Sequence, residues 1–269
     1  MTLPAPWIEG RVVGQRRWTQ TLRSITVACA PIRFEAGQFT RIGLMVDGEV
    51  LARAYSFVNA PGDETCEFYY VIVPDGPLTT RLAALEAGDA ILVSRQPAGF
   101  LVMSEVPDVL NEAVTGKPPG TAEGQGSLWM LSTGTGMGPF LSILATDEPW
   151  RRFSTVVLAH GVRHVADLAY GERIMALKSA YGAQFRHVPL LTRDAPSMRP
   201  GSLAGRIPDA IRSGALERAA GVPLSAPASR VMLCGNPGMV AESVAALAER
   251  GMKKHRRREP GQILLENYW

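Results

Sequence analysis

A glycine-rich stretch near the middle of the chain, residues 131–140, constrains the fold more than any other feature. A short apolar run precedes it at 127–130, and Pro139 follows, with Phe140 and Leu141 beginning a helical pattern. This order predicts a strand, a tight turn and a helix start. Glycines there let the backbone approach a phosphate, and the free N–H groups of the helix's first turn attract the anion. The spacing G-x-G-x-x-P has proline where the dinucleotide fingerprint has its third glycine, so the loop alone favours a phosphate site but is also compatible with a plain strand-to-helix turn.

The C-terminal half alternates strand-like and helical runs. Apolar runs suited to buried strands occupy 127–131, 155–160, 185–191, 230–234 and 262–266, and helical patterns start at Pro139 or cover 167–181, 207–213 and 239–250. Such alternation predicts a five-stranded parallel sheet with right-handed crossovers. The glycine loop then follows the first strand of the sheet, where nucleotides bind in such folds.

The N-terminal half has the pattern of an antiparallel β-barrel. Six β-rich runs are separated by turns, at 11–19, 22–27, 38–46, 53–59, 67–73 and 90–95. A short helical pattern at 80–85 interrupts the series. Thr79 is expected to be its N-cap, which would give a second helix start able to attract an anion.

A change of composition separates the two halves. Residues 106–126 are rich in Pro, Gly and polar residues and cannot bury much apolar surface. We therefore predict a β-barrel domain over 1–105, a linker or loop over 106–126, and an α/β domain over 127–269.

Composition excludes several classes of function. The 269 residues are 46% hydrophobic and 20% charged, and a net charge of +3 is too small for nucleic-acid binding over the whole surface. We find no signal-peptide pattern and no apolar run of about 18 residues, so a cytoplasmic protein without a membrane span is expected. The cysteines Cys29, Cys66 and Cys234 lack ligand spacing, which argues against structural zinc, an iron–sulfur cluster, a disulfide framework and any metal site.

One predicted barrel strand carries an unusual set of side chains. Arg53, Tyr55 and Ser56 place a cation, an aromatic ring and a hydroxyl within four positions. A planar ligand ring could stack on Tyr55 while Ser56 donates to it and Arg53 meets a phosphate. Alternatively, Tyr55 and Phe57 share a face of the strand and belong to the barrel core.

Five motifs occur together along the chain. They are Arg53-Ala54-Tyr55-Ser56-Phe57-Val58-Asn59, Val73-Pro74-Asp75-Gly76, Gly134-Thr135-Gly136 with Pro139, Cys234-Gly235-Asn236-Pro237 with Met239, and the terminal Glu266-Asn267-Tyr268-Trp269. In this combination and order the sequence resembles bacterial ferredoxin–NADP⁺ reductases. The resemblance implies an FAD-binding antiparallel barrel, an NADP-binding α/β domain, and electron exchange between NADPH and a ferredoxin or flavodoxin. The insert near 111–126 is longer than the family pattern.

The resemblance also implies roles for particular residues. Tyr55 would stack on the isoalloxazine, Ser56 would lie near flavin N5, and Arg53 would contact the pyrophosphate. The other implied FAD contacts are Ala54, Val71, Val73, Thr79, Tyr268 over the flavin, and Trp269 toward the adenine. Alternatively, the two terminal aromatic residues pack on the core as an ordinary chain end.

Implied NADP contacts lie around the glycine loop and the last strands of the sheet, at Thr133, Gly134, Thr135, Gly136, Cys234, Gly235, Asn236 and Met239. Cys234 follows an apolar strand and precedes Asn236 and Pro237, a plausible N-cap and first helical residue, so we expect it at the carboxyl edge of the sheet, facing the cleft. Alternatively, Cys234 is a buried, inert thiol. The implied catalytic residues are Ser56, Cys234 and Glu266, which supply dipoles and a proton network.

Arginines favour NADP over NAD. A fold specific for NAD places Asp or Glu after the second strand, whereas a 2′-phosphate needs cations there. Here Arg163 follows the second strand and Arg193 and Arg206 follow the third. Arginine suits a phosphate through its bidentate donors and permanent charge.

We therefore expect a monomeric FAD-dependent NADPH reductase of an acidic ferredoxin or flavodoxin. The alternatives are a flavin reductase or oxygenase-reductase component of the same superfamily, and a non-catalytic nucleotide-binding protein. The basic run from Lys253 to Arg258 is the candidate docking site for the carrier, or else a solvated loop.

Overall fold

The structure is a computed structural model that describes residues 5–109 and 126–267. Its contacts divide the chain into two units. The first comprises Met1–Val102 together with Gly138–Thr146, and the second comprises Met103–Met137 together with Asp147–Trp269. Within the described ranges, no helix is long and apolar enough to cross a membrane.

The first unit contains the predicted six-stranded antiparallel sheet. Its strands run in the order β4-β3-β6-β1-β2-β5 and are β1 Trp7–Arg17, β2 Leu22–Cys29, β3 Phe39–Val46, β4 Glu49–Ser56, β5 Thr65–Val71 and β6 Ala90–Ser94. Phe57 and Phe68 form an antiparallel bridge beyond the end of β4, and Val58 N donates to Glu67 O at 2.9 Å. These contacts join β4 and β5, the first and last strands of that order, and close the sheet into a barrel.

Alternation along the strands produces the barrel core. In β1, buried and exposed residues alternate over the first half of the strand. The fully buried side chains Ile25, Val27, Ile42, Phe57 and Phe68 fill the interior. Burial of such side chains is the main favourable contribution to folding.

The short helix of the first unit, α1 Thr79–Ala83, corrects one prediction. Leu78 is the residue before the helix and makes no side-chain cap, and Thr79 is the first helical residue. The Thr79 hydroxyl instead accepts a hydrogen bond from Val73 N at 3.0 Å. Thr79 therefore ties the helix to the end of β5 and does not satisfy the free N–H groups of the helix start.

The second unit contains a parallel sheet of six strands, where the sequence predicts five. The order is β10-β9-β8-β7-β11-β12, with β7 Ser127–Thr133, β8 Thr155–Val162, β9 Phe185–Leu191, β10 Leu203–Ala204, β11 Ser229–Gly235 and β12 Ile263–Asn267. The extra strand has only two residues, which pair with Leu190 and Leu191 at the end of β9. A two-residue run between glycines carries no detectable period, so it was missed.

The described helices that follow are α2 Gly138–Leu144, α3 Glu148–Arg152, α4 Gly171–Tyr181, α5 Ile207–Arg212, α6 Ala215–Ala220 and α7 Pro237–Ala248. Helices α3 and α6 were not predicted. Helix α4 starts at Gly171, later than the predicted residue 167, because Asp167 closes a separate 3₁₀ turn by accepting a hydrogen bond from His164 N. By its contacts, α2 belongs to the first unit, where Ser142 Oγ donates to Asn59 O at 2.7 Å.

Candidate functional site

In the first unit, the candidate ligand-binding residues lie at the end of β4. Arg53 and Ala54 are exposed, Tyr55 is half-buried and Ser56 is buried. The Tyr55 ring meets the edge of the Tyr70 ring at a centroid distance of 6.3 Å and an angle of 81°. This T-shaped contact with a residue of β5 fixes the orientation of the Tyr55 ring.

Tyr55 and Phe57, which the sequence analysis left as possible core residues together, have different environments in the structure. Phe57 is fully buried and stacks on Phe34 at 3.9 Å, so it belongs to the core. Tyr55 packs against the core with one part of its ring and keeps the rest accessible. Burial raises the pKa of Tyr55 to about 12, with Arg53 opposing the shift, so its hydroxyl is a neutral hydrogen-bonding group at physiological pH.

The end of β5 adds apolar surface. Val71 is half-buried, and Val73 is 41% exposed. Thr79 holds the backbone of Val73 through the hydrogen bond described above. Because Tyr70 is in edge contact with Tyr55, the end of β5 continues the surface that begins at β4.

In the second unit, the glycine loop has the predicted position after β7. Gly134 has φ of +54° and begins a 3₁₀ turn, Gly134–Met137, and α2 follows from Gly138, one residue before Pro139. A Cβ atom at Gly136 would lie 2.4 Å from the carbonyl oxygen of Cys234. The loop therefore requires glycine at 134 for its backbone conformation and at 136 for close approach to β11.

A buried histidine that the sequence analysis did not identify supports this loop. His160, near the end of β8, is 1% exposed, and its Nε2 lies 3.0 Å from the carbonyl oxygen of Gly134. A carbonyl only accepts, so Nε2 carries the proton and donates. Burial lowers the pKa of His160 to about 4 and keeps the ring neutral. The only sequence signal was a polar residue near the end of an apolar strand.

The ends of β7 and β11 are joined beside the loop. Asn236 N donates to Thr133 Oγ1 at 3.0 Å. The Asn236 side chain accepts from Gly238 N at 2.9 Å and from Met239 N at 3.2 Å, which confirms it as the N-cap of α7 with proline next. Thr135 is half-buried within the turn, and Gly235 packs tightly against Thr133.

Cys234 and Glu266 lie beside each other on neighbouring strands. The register pairs Cys234 of β11 with Glu266 of β12. Cys234 is fully buried, which corrects the expectation that it faces an open cleft. Glu266 Oε2 is buried without a hydrogen-bond partner among the described residues, and burial raises the pKa of Glu266 to about 7.

Two of the three predicted arginines are brought together. Arg163 follows β8 and Arg193 follows β9, and the Arg193 N donates to Arg163 O at 3.0 Å. Both side chains are exposed, and within 5–109 and 126–267 neither guanidinium has a hydrogen-bond or ion-pair partner. Arg206, the residue before α5, is instead ion-paired with Glu242 of α7 at 2.9 Å.

The basic run forms a hairpin. Backbone hydrogen bonds link Arg256 and Glu259 in both directions. Arg257 is ion-paired with Glu105 at 2.5 Å and holds the pKa of that carboxyl below its usual range. Arg257 is nevertheless exposed, as are the other four cations of the run, Lys253, Lys254, Arg256 and Arg258. Tyr268, Trp269 and nearly all of the 111–126 insert lie outside the described residues.

Comparisons with known proteins give consistent results. The family model of the oxidoreductase NAD-binding domain matches residues 130–244. The chain is 44% identical to the flavodoxin/ferredoxin–NADP reductase of Escherichia coli, over 98% of this chain and 100% of that protein. It is 40% identical to the ferredoxin–NADP reductase of Pseudomonas aeruginosa over 95% of each. A crystal structure of a ferredoxin NADP⁺ reductase from Neisseria gonorrhoeae with bound FAD and NADP is similar with a TM-score of 0.86 and 35% identity, covering 98% of this chain and 99% of that one.

Proposed function

This chain belongs to the family of flavodoxin/ferredoxin–NADP reductases, and from that premise we propose which of its residues carry the family's reaction. The enzyme transfers a hydride between NADP(H) and FAD, and single electrons between FAD and ferredoxin or flavodoxin. FAD supplies the conversion between two-electron and one-electron chemistry. The protein's residues bind, orient and shield the reactants and hold protons.

We propose that FAD binds at the ends of β4 and β5. The residues fit a flavin nucleotide, because an exposed cation, a fixed aromatic ring and accessible apolar surface follow one another there. In this proposal Arg53 and Thr79 hold the pyrophosphate, Tyr55 stacks on the ring system, and Ser56 lies at its reactive edge. The remaining contacts are Ala54, Val71 and Val73.

NADP(H) is proposed to bind at the carboxyl edge of the parallel sheet. The observation that carries this assignment is the pair of exposed arginines, Arg163 and Arg193, whose backbones are adjacent and whose side chains have no partner within the described residues. Cations at this place fit a 2′-phosphate, and the backbone of Gly134 and Gly136 fits the pyrophosphate. The other proposed contacts are Thr133, Thr135, Gly235, Asn236, Met239 and Arg206, the last of which would have to exchange Glu242 for the phosphate.

Ser56, Cys234 and Glu266 are the proposed catalytic residues. Glu266 is the one whose chemistry the structure supports most directly, since a carboxyl with a pKa of about 7 can hold or release a proton at Oε near physiological pH. Cys234 and Ser56 are neutral, polarizable or dipolar groups that position the reactants.

The remaining assignments concern the whole chain. We propose a FAD domain over 1–105, a linker over 106–126 and an NADP domain over 127–269, acting as a monomer. The proposal includes a cytoplasmic location. Tyr268 is proposed to cover the flavin and Trp269 to pack toward the adenine, so deletion of both should change FAD retention or NADP(H) affinity far more than folding. Unchanged nucleotide binding and an unchanged flavin spectrum would contradict that assignment.

A test of the NADP site compares coenzymes. Arg163→Ala and Arg193→Ala should each raise the KM for NADPH and spare NADH, because only NADPH carries the 2′-phosphate. A lost charged hydrogen bond is worth roughly 1.5–3 kcal/mol, which corresponds to about 10- to 100-fold. Arg212→Ala, which removes an exposed arginine at the last residue of α5, is the matched control. Equal losses with NADPH and NADH would refute the assignment.

A further inference from the structure

We propose that His164 and Asp194 act as a clasp that positions Arg163 and Arg193 for the 2′-phosphate of NADP(H), so that both are positioning residues for coenzyme selectivity. The inference rests on the proposed NADP site and goes beyond it, because neither residue belongs to the sequence motifs. It assigns a role to the only pair of side chains within the described residues that joins the loops after β8 and β9 by a hydrogen bond.

The two loops continue the pairing of their strands. Beyond the last paired residues of β8 and β9, Thr192 N donates to Val162 O at 3.1 Å, and Arg193 N donates to Arg163 O at 3.0 Å. The arginine backbones are thus adjacent. The Thr192 hydroxyl also donates to Val162 O, at 3.3 Å. Such bonds alone, beyond the carboxyl ends of the two strands, would leave these residues prone to local opening.

The clasp lies at the next position along both loops. His164 Nδ1 is 2.8 Å from Asp194 Oδ1, and Val165 N donates to Asp194 Oδ2 at 2.7 Å. Both carboxylate oxygens are therefore used. Because a carboxylate is acceptor-only, His164 Nδ1 carries a proton and donates.

His164 is itself held in place from the other side. Its backbone N donates to Asp167 Oδ2 at 3.0 Å, and Asp167 N donates back to His164 O at 3.0 Å. The loop after β8 is therefore fixed by one carboxylate from its own 3₁₀ turn and by another from the neighbouring loop. Because both the backbone and the side chain of His164 are held, the position of the adjacent residue, Arg163, is restricted as well.

The clasp also removes a competing charge. Asp194 directly follows Arg193, and an unengaged carboxylate there would pair with a guanidinium or repel a phosphate. With both oxygens engaged by His164 and Val165 N, the arginines remain without a partner in the described part of the chain. The hydrogen bonds from His164 and Val165 N hold the pKa of Asp194 below its usual range, so the carboxylate stays ionised and keeps accepting.

Partial exposure argues that the pair serves more than stability. The His164 side chain is 46% exposed and the Asp194 side chain is 18% exposed, and a polar contact with a half-exposed partner contributes little to the free energy of folding. Removing a purely structural clasp would lower the melting temperature slightly and leave the preference between coenzymes unchanged. Removing a positioning clasp would change the preference.

The test measures kcat and KM for NADPH and for NADH in the FAD-loaded enzyme, with ferricyanide as acceptor. Asp194→Ala and His164→Ala should each raise the KM for NADPH by about 3- to 10-fold, as expected for a lost hydrogen bond, with kcat and the NADH values changed by less than about twofold. The affinity for 2′-phosphoadenosine, measured by titration, should fall by the same factor. Glu249→Ala, which breaks an exposed pair with Arg212, is the matched control and should change neither coenzyme.

Conservative variants keep the test decisive. The side-chain amide of His164→Asn can occupy the place of Nδ1 and donate, so this variant should retain most of the NADPH preference. Asp194→Asn keeps an acceptor for Val165 N and should lose less than Asp194→Ala. Retained FAD and an unchanged far-ultraviolet spectrum would show that each variant is folded.

Three results would overturn the proposal. They are tighter NADPH binding by Asp194→Ala, which would mean that only its charge matters, equal losses for both coenzymes, and an unchanged NADPH preference. If Arg163→Ala and Arg193→Ala lose the preference while the clasp variants keep it, the clasp is refuted and the NADP site stands. If the arginine variants also keep it, the proposed site itself fails.

Discussion

Glu266→Gln isolates the free energy stored in one buried carboxyl group. Burial raises the pKa of Glu266 from its ordinary value of 4.5 to about 7, and Oε2 has no partner among the described residues. The folded protein therefore holds this proton more tightly than the unfolded chain. Above pH 4.5 the unfolded state is stabilised by ionising, so the free energy of unfolding falls as the pH rises. It stops falling above about pH 7, where the folded carboxyl also ionises.

The two pKa values set the size of the effect. Linkage gives a cost of roughly 0.8 kcal/mol at pH 5 and roughly 3 kcal/mol at pH 8. Glutamine has the shape of the protonated carboxyl and does not ionise, so Glu266→Gln should remove this cost. The stability difference between variant and wild type should therefore grow by about 2.5 kcal/mol from pH 5 to pH 8. For a unit of this size that corresponds to about 5–10 °C in Tm.

The assay is thermal unfolding of the FAD-loaded enzyme at pH 5, 6, 7 and 8, followed by circular dichroism. Glu259→Gln is the matched control, because Glu259 is exposed in the neighbouring hairpin and its substitution should shift Tm equally at every pH. A Glu266→Gln advantage that is the same at pH 5 and pH 8 would refute the reasoning. It would show that the carboxyl finds a partner or water that the folded chain does not reveal.

Three further predictions follow from buried or exposed groups. His187→Phe should raise Tm, and more at pH 5 than at pH 8, because both ring nitrogens are buried without partners in the described ranges. Burial lowers the pKa of His187 to about 3, which costs roughly 2 kcal/mol of folding stability at pH 5. An equal gain in Tm at both pH values would contradict the charge argument. Gly136→Ala should weaken NADPH binding and lower the free energy of unfolding by about 1–3 kcal/mol, because its Cβ would collide with backbone atoms. Normal NADPH affinity by calorimetry and normal stability in a urea titration would contradict this. Neutralising three hairpin cations should slow reduction of the carrier and flatten its dependence on ionic strength between about 0.01 and 0.15 M, while ferricyanide reduction hardly changes; the three are Lys253, Lys254 and Arg256. A wild-type salt slope would place docking elsewhere.

Local patterns were sufficient for most of the fold. All six barrel strands and five of the six parallel strands were predicted, because strand alternation and buried apolar runs are visible in short windows. The glycine loop was predicted for the same reason. The N-cap at Asn236 was predicted because its proline neighbour marks the first helical residue.

The errors have a common physical origin. Thr79 has the sequence of a cap, but its hydroxyl is used by Val73, six residues earlier in the chain. The Asp194 carboxylate meets His164, thirty residues away, only because β8 and β9 are neighbours in the sheet. Arg206 stays a predicted NADP contact, but its ion pair with Glu242 of α7 was not predicted. Each depends on tertiary placement that no local window contains.

Departures from ordinary folding rules gather at one edge of the parallel sheet. A loop with positive φ at Gly134, a histidine buried beneath it and a carboxyl buried at Glu266 all lie at the carboxyl ends of the strands. Proteins tolerate such costs where function needs them. His187 breaks the same rules but pairs with Leu158 well before the end of β8, away from that edge. If the reasoning is correct, His187 is the buried group whose replacement stabilises the fold without loss of NADPH turnover, whereas Glu266→Gln gains stability at the expense of turnover.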